Sequence, residues 1–149
     1  MRAVVQRVSS AAVKAGDDYE ASIAAGLLVY LGVSTEDGEA EARAMAEKVR
    51  YLRIFDDEGG QLNLDVVQAG GSVLVVSAFT TLGDARKGRR PSYVAAAKPE
   101  QANELYTCFC DALEALGLTV RRGVFRAYME VSSTNDGPVC ILVDSTKAF

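Results

Sequence analysis

Residues 2–13, RAVVQRVSSAAV, are dense in β-branched side chains and predict a strand with Ala3, Val5 and Arg7 on one side and Val4, Gln6 and Val8 on the other. Arg7 is a charge on a mainly apolar strand. Two readings stay open for it: a surface edge arginine, or a buried group holding carbonyls or a carboxylate. Gly16-Asp17 marks a turn, after which 19–24 and 26–34 predict two further strands. The second, GLLVYLGVS, is apolar almost throughout and predicts a central strand covered on both faces. From 39 to 54 the period changes: Ala42, Met45, Ala46, Val49 and Leu52 recur at helical spacing among charged neighbours, with Asp37 as cap. Asp56-Asp57-Glu58-Gly59-Gly60 follows as a solvated acidic turn without the twelve-residue ligand pattern of a calcium loop.

Beyond it, 61–68 predicts a short strand, Gly70-Gly71 a turn, and Ser72–Phe79 a buried strand running into Thr80-Thr81-Leu82-Gly83-Asp84. A second helix spans about 99–116, opened by Pro99 and stopped by Gly117, with Leu105, Cys108, Phe109, Ala112, Leu113 and Leu116 as its apolar stripe. Strands follow at 118–125, 128–134 and 138–144, the last two separated by Asn135-Asp136-Gly137-Pro138. The pattern is that of a mixed α/β chain.

With 149 residues, 49% of them hydrophobic and 24% charged, the chain is sized for one domain, 1–149, able to build a core without disulfides. It has no histidine, which removes Ser-His-Asp triads, Cys-His dyads, HExxH zinc sites and His-carboxylate iron sites together. Cys108, Cys110 and Cys140 form no CxxC; the first two point about 200° apart on a helix, and all three read as buried free thiols of a reducing cytosol. The opening residues lack the apolar run of a signal peptide, and no run reaches a membrane span, so a cytoplasmic location is expected.

A net charge of −4 opposes broad, non-specific nucleic-acid binding. The cations are nonetheless clustered: Arg86, Lys87, Arg89 and Arg90 fall within five residues, just before Pro91, as a patch of phosphate size. Immediately upstream, Ser77, Ala78, Phe79, Thr80 and Thr81 leave a buried strand. Without an imidazole to activate it, a hydroxyl such as that of Thr80 is a weak nucleophile, and backbone N–H donors for an oxyanion suit this strand end better. A hydrolase using Cys140 or Thr80 as nucleophile would need a lysine or carboxylate base beside it.

MRAVVQRVSSAAV, QAGGSVLVVSAFTTLGDARKGRRPSY and GVFRAYMEV with NDGPV occur in one order and spacing, and over essentially the whole chain the sequence resembles the D-aminoacyl-tRNA deacylases. That resemblance implies a three-layer α/β/β domain with mixed, largely antiparallel sheets and two main helices. It implies a cytosolic homodimer that needs no metal or cofactor. The reaction would be cleavage of the ester between a D-amino acid, or glycine, and the terminal adenosine of tRNA, a chiral proofreading step in translation quality control. Catalysis in the family is attributed largely to the adenosine's own 2′-hydroxyl. By the same resemblance, Ser77, Ala78, Phe79 and Thr80 lie beside the ester and adenosine. Gly137-Pro138 would form a cis turn that excludes L-side chains from the partner's pocket, with Arg7 locking it, and Arg86, Lys87, Arg89 and Arg90 would hold tRNA phosphates. The chain departs from the family pattern at Ala78, where glutamine is expected, at Thr81, where leucine is, and at Cys140, where threonine is. A non-catalytic tRNA-binding homologue that lost deacylation through Ala78 is the alternative reading.

Overall fold

The computed structural model describes residues 1–149. Its strands are β1 (Arg2–Ala15), β2 (Tyr19–Ile23), β3 (Gly26–Gly32), β4 (Phe55–Asp56), β5 (Leu62–Leu64), β6 (Ser72–Ser77), β7 (Val120–Arg122) and β8 (Glu130–Asp144), and its helices are α1 (Glu39–Arg50) and α2 (Pro99–Ala115). β1 is the axis of a six-stranded sheet. Its first half pairs antiparallel with β3 from Arg2 to Val8, its second half with β2 from Ala11 to Ala15, and β8 runs along its other side. β6 and β7 extend the sheet in parallel from β3, in the order β2-β1-β3-β6-β7. Each parallel step needs a crossover, made by α1 and α2 respectively. Right-handed crossovers lie on the same face when the strand order runs one way, so both helices cover one side.

Two cores result, and they define three layers. The larger packs α1 and α2, through Met45, Val49, Phe109 and Leu113, on Val5, Leu27, Val29, Val73 and Val75. The smaller joins Leu28, Leu74 and Val76 on the other face to Val8, Ala11, Val13 and Ile23 from β1 and β2. β1 changes layer at the register shifts between Gln6 and Ser10: Ala3 and Val5 face the helices, whereas Ala11 and Val13 belong to the second core. The fold is thus the α/β/β arrangement that the resemblance implies. Phe109 is fully buried at its centre, where truncation to alanine costs about 3–5 kcal/mol.

Several sequence expectations change here. Asp37 does not cap α1: its carboxylate accepts from the Ser34 N–H at 2.6 Å and from the Met1 amino group. Gly38 is the cap, its N–H donating at 2.9 Å to Glu41, whose carboxyl that bond holds below the usual range. Helix α1 ends at Arg50, and Leu52 packs on the core from beyond it. The expected strand at 118–125 shortens to Val120–Arg122, and that at 61–68 to Leu62–Leu64. Residues 128–134 and 138–144 are not separated by a hairpin, since β8 keeps one direction against β1 throughout. Gln6 faces Cys140 and Val8 faces Asn135, so two steps along β1 correspond to five along β8, and the surplus is extruded as a bulge. Of the thiols only Cys110 is buried, and burial pushes its pKa up to about 12; Cys108 is half-buried and Cys140 exposed. Alternation explains Cys140, because β8 is an outer strand whose side chains alternate between the sheet and solvent. No helix is long and apolar enough to cross a membrane.

Candidate active site

Because β3 and β6 are parallel, their carboxyl ends coincide at one edge of the sheet, where clefts form in α/β folds. Ser77 closes β6, and the Ala78 N–H gives the last ladder bond to the Leu31 carbonyl at 2.8 Å. The chain then winds into a 3-10 turn, Phe79–Leu82. The Thr81 N–H and hydroxyl both donate to the Ala78 carbonyl, at 3.2 and 3.0 Å. The opening N–H groups of such a turn, those of Phe79 and Thr80, have no partner within it and are its available donors. Two residues brace the turn from β1 and β3. Arg2 donates to the Thr81 carbonyl at 2.9 Å, and Gly32 admits the turn at a distance no side chain allows, since a Cβ there would lie 2.9 Å from the Ala78 carbonyl oxygen.

The turn forms one wall of a cavity of about 800 Å³ lined mainly by apolar groups. Ser77, Ala78, Phe79 and Thr80 all line it. Phe79 is 59% exposed and meets Tyr93 edge to face at 5.0 Å. Tyr106, at the back, donates to the Val75 carbonyl at 2.9 Å, and burial pushes its phenol well above the ordinary tyrosine value, so it stays protonated. No carboxylate, lysine or cysteine lines the cavity. Such a site binds a flat, weakly polar group and offers backbone dipoles to an oxyanion, rather than a side-chain base. The nucleophile reading fails on this geometry: Thr80 has no base beside it, and Cys140 lies outside the cavity on β8, opposite Gln6.

The extruded segment of β8 stands elsewhere. Arg7 is only 6% exposed, which settles it as the buried reading, and it donates to the carbonyl oxygens of Asp136 at 3.0 Å and Ile54 at 2.9 Å. The carboxylates of Asp136 and Asp56 approach it at 3.3 and 3.5 Å. Asn135 closes the loop from both ends, accepting from the Val139 N–H at 2.8 Å and donating to the Val139 carbonyl at 3.2 Å. Within it the Gly137–Pro138 peptide is cis and Gly137 has φ +138°, a conformation that glycine alone adopts readily. Both residues are exposed. Arg7 faces Leu27 on β3, whereas the cavity begins at Tyr30, three residues or about 10 Å along the strand, and neither Gly137 nor Pro138 lines it. The turn therefore does not enter the cavity of its own chain.

A family model described as D-Tyr-tRNA(Tyr) deacylase matches residues 4–144. The chain belongs to that family. It is 54% identical over 149 residues, all of both chains, to the D-aminoacyl-tRNA deacylase of Anaeromyxobacter dehalogenans (strain 2CP-C). It is 50% identical over 147 residues to that of Thermus aquaticus, covering 99% of this chain and 97% of the relative. Among solved structures, the c-Myc DNA Unwinding Element Binding Protein superposes with a TM-score of 0.90 at 38% identity, over 97% of this chain and 98% of that one. A probable eukaryotic D-amino acid tRNA deacylase shares the fold, with a TM-score of 0.84 at 14% identity over 95% of this chain and 97% of that one.

Of the three positions at which this deacylase-family chain departs from the pattern the resemblance implies, Thr81 has a local explanation. The Thr81 hydroxyl bonds the Ala78 carbonyl, so threonine serves in the turn as a hydrogen-bonded brace that leucine cannot be. Ala78 brings only a methyl group to the cavity wall, and the Phe79 and Thr80 backbone is unaffected by that. The basic loop is less uniform than its sequence suggests. Arg86 forms a two-pronged pair with Asp84 at 2.9 and 2.7 Å, and this bonding holds the Asp84 carboxyl down at about 2. Lys87, Arg89 and Arg90 form no ion pair within the chain and remain exposed. Sequence reasoning missed Arg2, Gly32, Tyr93, Asp56 and Asn135. Asn135 and Gly32 carried a signal, an amide entering a turn and a glycine closing an apolar strand, but the others show their role only through long-range contact.

Proposed function

We propose that this family member hydrolyses the ester linking a D-amino acid, or glycine, to the terminal adenosine of tRNA, acting as a cytoplasmic homodimer in translational proofreading. The observation that carries the reading is the 3-10 turn after Ser77, whose first two residues line an apolar cavity free of side-chain bases and whose first N–H groups have no partner within the turn. The adenosine lies in the cavity against the Phe79 ring. The N–H groups of Phe79 and Thr80 receive the carbonyl oxygen as it becomes an oxyanion, a contribution that needs no imidazole. Water adds to the carbonyl carbon, the ester C–O bond breaks, and the ribose oxygen leaves as a hydroxyl. The 2′-hydroxyl of the substrate shuttles the proton that no side chain here can take.

Stereochemical selection falls to Gly137 and Pro138. Held by Arg7, exposed and outside the lining of its own cavity, the turn is built to enter the cavity of a second protomer and to fill the space that an L-side chain needs. Lys87, Arg89 and Arg90 hold tRNA phosphates, while Arg86 shapes the loop through Asp84 and contributes less charge.

Single-turnover deacylation of matched D- and L-aminoacyl-tRNA, with glycyl-tRNA alongside, tests the reading. The natural protein is expected to clear the D-ester and spare the L-ester. Ala78→Gln adds one hydrogen bond to the substrate, worth about 0.5–1.5 kcal/mol, and should speed D-ester loss by about two- to thirteenfold. Loss of both esters at the rate seen in buffer, by both proteins, would overturn it.

A further inference from the structure

The cavity has a second rim that the reaction above does not use. After β7 the chain leaves the sheet at Gly123, whose N–H bonds the Val75 carbonyl at 2.8 Å, and crosses the cavity mouth through Phe125, Arg126, Ala127 and Tyr128 before β8 begins. Phe125 turns inward and packs on Tyr106, with ring centroids 6.1 Å apart. Tyr128 does the opposite. It lines the cavity yet is 89% exposed, the most exposed large apolar residue of the chain, and its hydroxyl makes no hydrogen bond within the protein.

Arg126 also lines the cavity and is exposed, with no ion pair or hydrogen bond to any other residue. Its φ is +62°, the left-handed region, which is unfavourable for a non-glycine residue and which no contact of the arginine side chain offsets within the chain. An unpaired cation and an unpacked aromatic ring thus stand two residues apart on a constrained loop, at the mouth of a cavity otherwise apolar.

We infer that Arg126 and Tyr128 form a subsite for the nucleotide preceding the terminal adenosine, with the Tyr128 ring stacked on its base and Arg126 on the phosphate joining the two. The inference rests on the proposed adenosine site and extends it along the strand. A single-stranded 3′ end leaves its bases free for stacking on exposed aromatics, and each linking phosphate presents a charge for a guanidinium. The placement suits that polymer: a nucleoside seated inside must let its 5′ phosphate leave through the mouth, where Arg126 stands. The apolar interior receives the terminal base, and the aromatic and cationic rim receives its 5′ neighbour. The negative charge of the whole protein makes a local cation at this point the more useful.

Two readouts test this. First, Tyr128→Ala and Arg126→Gln are compared on D-aminoacyl-tRNA and on the minimal ester, the 3′-O-D-aminoacyl adenosine. Tyr128→Ala is expected to raise KM for the tRNA about tenfold with kcat unchanged, to leave the minimal ester unaffected, and to be restored by Tyr128→Phe. Arg126→Gln should make the salt dependence of log kcat/KM shallower by about 0.7, the value for one phosphate on a single strand. Equal effects on both esters, or none on the tRNA, would overturn the subsite. Second, the chain has no tryptophan, so Tyr128→Trp carries a sole indole reporter. Its fluorescence should be quenched by the dinucleotide cytidylyl-adenosine and not by adenosine alone. This arm reads binding without turnover: quenching by the dinucleotide upholds the subsite even if no ester is cut, which would sink the deacylation reading instead, and its absence overturns the subsite even in an active enzyme.

Discussion

Arg2 and Thr81 are seventy-nine positions apart in sequence, and the guanidinium of the first donates to the carbonyl of the second at 2.9 Å. The same guanidinium bonds Asp144 at 2.9 Å through Nε, so one side chain joins the end of β8 to the turn that carries the backbone donors. Arg2→Gln removes both contacts and leaves a nearly buried carboxylate without its cation. We expect a loss of about 1–3 kcal/mol in stability, seen by denaturant titration, and a fall in kcat larger than any change in KM.

The acid limit of stability depends on the same group. Burial raises the pKa of Asp144, but its bonds to Thr146 and Arg2 outweigh that and hold it below the ordinary value; Asp65 is likewise lowered, its burial outweighed by the Gln68 N–H and Arg50. A carboxyl lowered by folding binds its proton more weakly folded than unfolded. Its contribution is therefore complete above the unfolded pKa, near 4, and is lost as pH falls through the folded value. Thermal unfolding should show a midpoint level above about pH 5 and falling below pH 4, with a smaller fall in Arg2→Gln. A midpoint that rises on acidification would contradict the bonding described.

Gly32→Ala tests the close approach of β3 and the 3-10 turn. The added methyl would sit 2.9 Å from the Ala78 carbonyl oxygen and against the Thr81 hydroxyl, which is itself bonded and cannot move freely. Overpacking of this kind costs about 1–3 kcal/mol. Because the turn is what must shift, D-ester deacylation should fall further than stability does at a temperature where the variant remains folded.

For Arg7, lysine is the informative replacement. It keeps the charge but cannot reach the Asp136 and Ile54 carbonyls with the fork that a guanidinium supplies. Losing a hydrogen bond from a charged donor costs about 1.5–3 kcal/mol. With the Gly137–Pro138 turn released, the ratio of D- to L-ester cleavage should drop chiefly through a gain in L-ester cleavage. An unchanged ratio would separate the turn from chiral selection.

The basic loop divides by pairing. Neutralising Lys87, Arg89 or Arg90 singly should make the slope of log affinity for tRNA against log salt shallower by about 0.7–0.9 each. Arg86→Gln should change it less, because Asp84 already neutralises Arg86, and should return the Asp84 carboxyl from about 2 toward its ordinary value.

What the chain reveals before folding is unequal across these features. Helices α1 and α2 were legible because their apolar stripes repeat at helical spacing, and β3 because it is covered on both faces and so apolar throughout. Asp37 misled because a carboxylate just before a helix is usually a cap; here a partner from the chain's first residue competes for it. The break expected at Asn135–Pro138 is a turn signal in sequence, yet β1 offers ladder partners on both sides of it, and pairing overrides local propensity. Most of the proposed site lies in contiguous letters, Ser77 to Thr80 and Gly137 to Pro138, while the Arg2 support acts through space and leaves no local pattern.

One consequence concerns how the chain comes into being. β1 emerges from the ribosome well before the strand along its whole free side, β8, which begins at residue 130. Until then one flank of the axial strand has no ladder partner, and Arg7 lacks the Asp136 carbonyl that it will hold. The helices and the parallel part of the sheet can assemble on the nascent chain, but the Gly137–Pro138 turn cannot be set before synthesis has passed residue 138. Closing so long a loop is slow relative to local contacts and tends to be a late event in folding. The turn proposed to tell one hand of an amino acid from the other therefore takes shape only after the helices and the parallel strands that it serves.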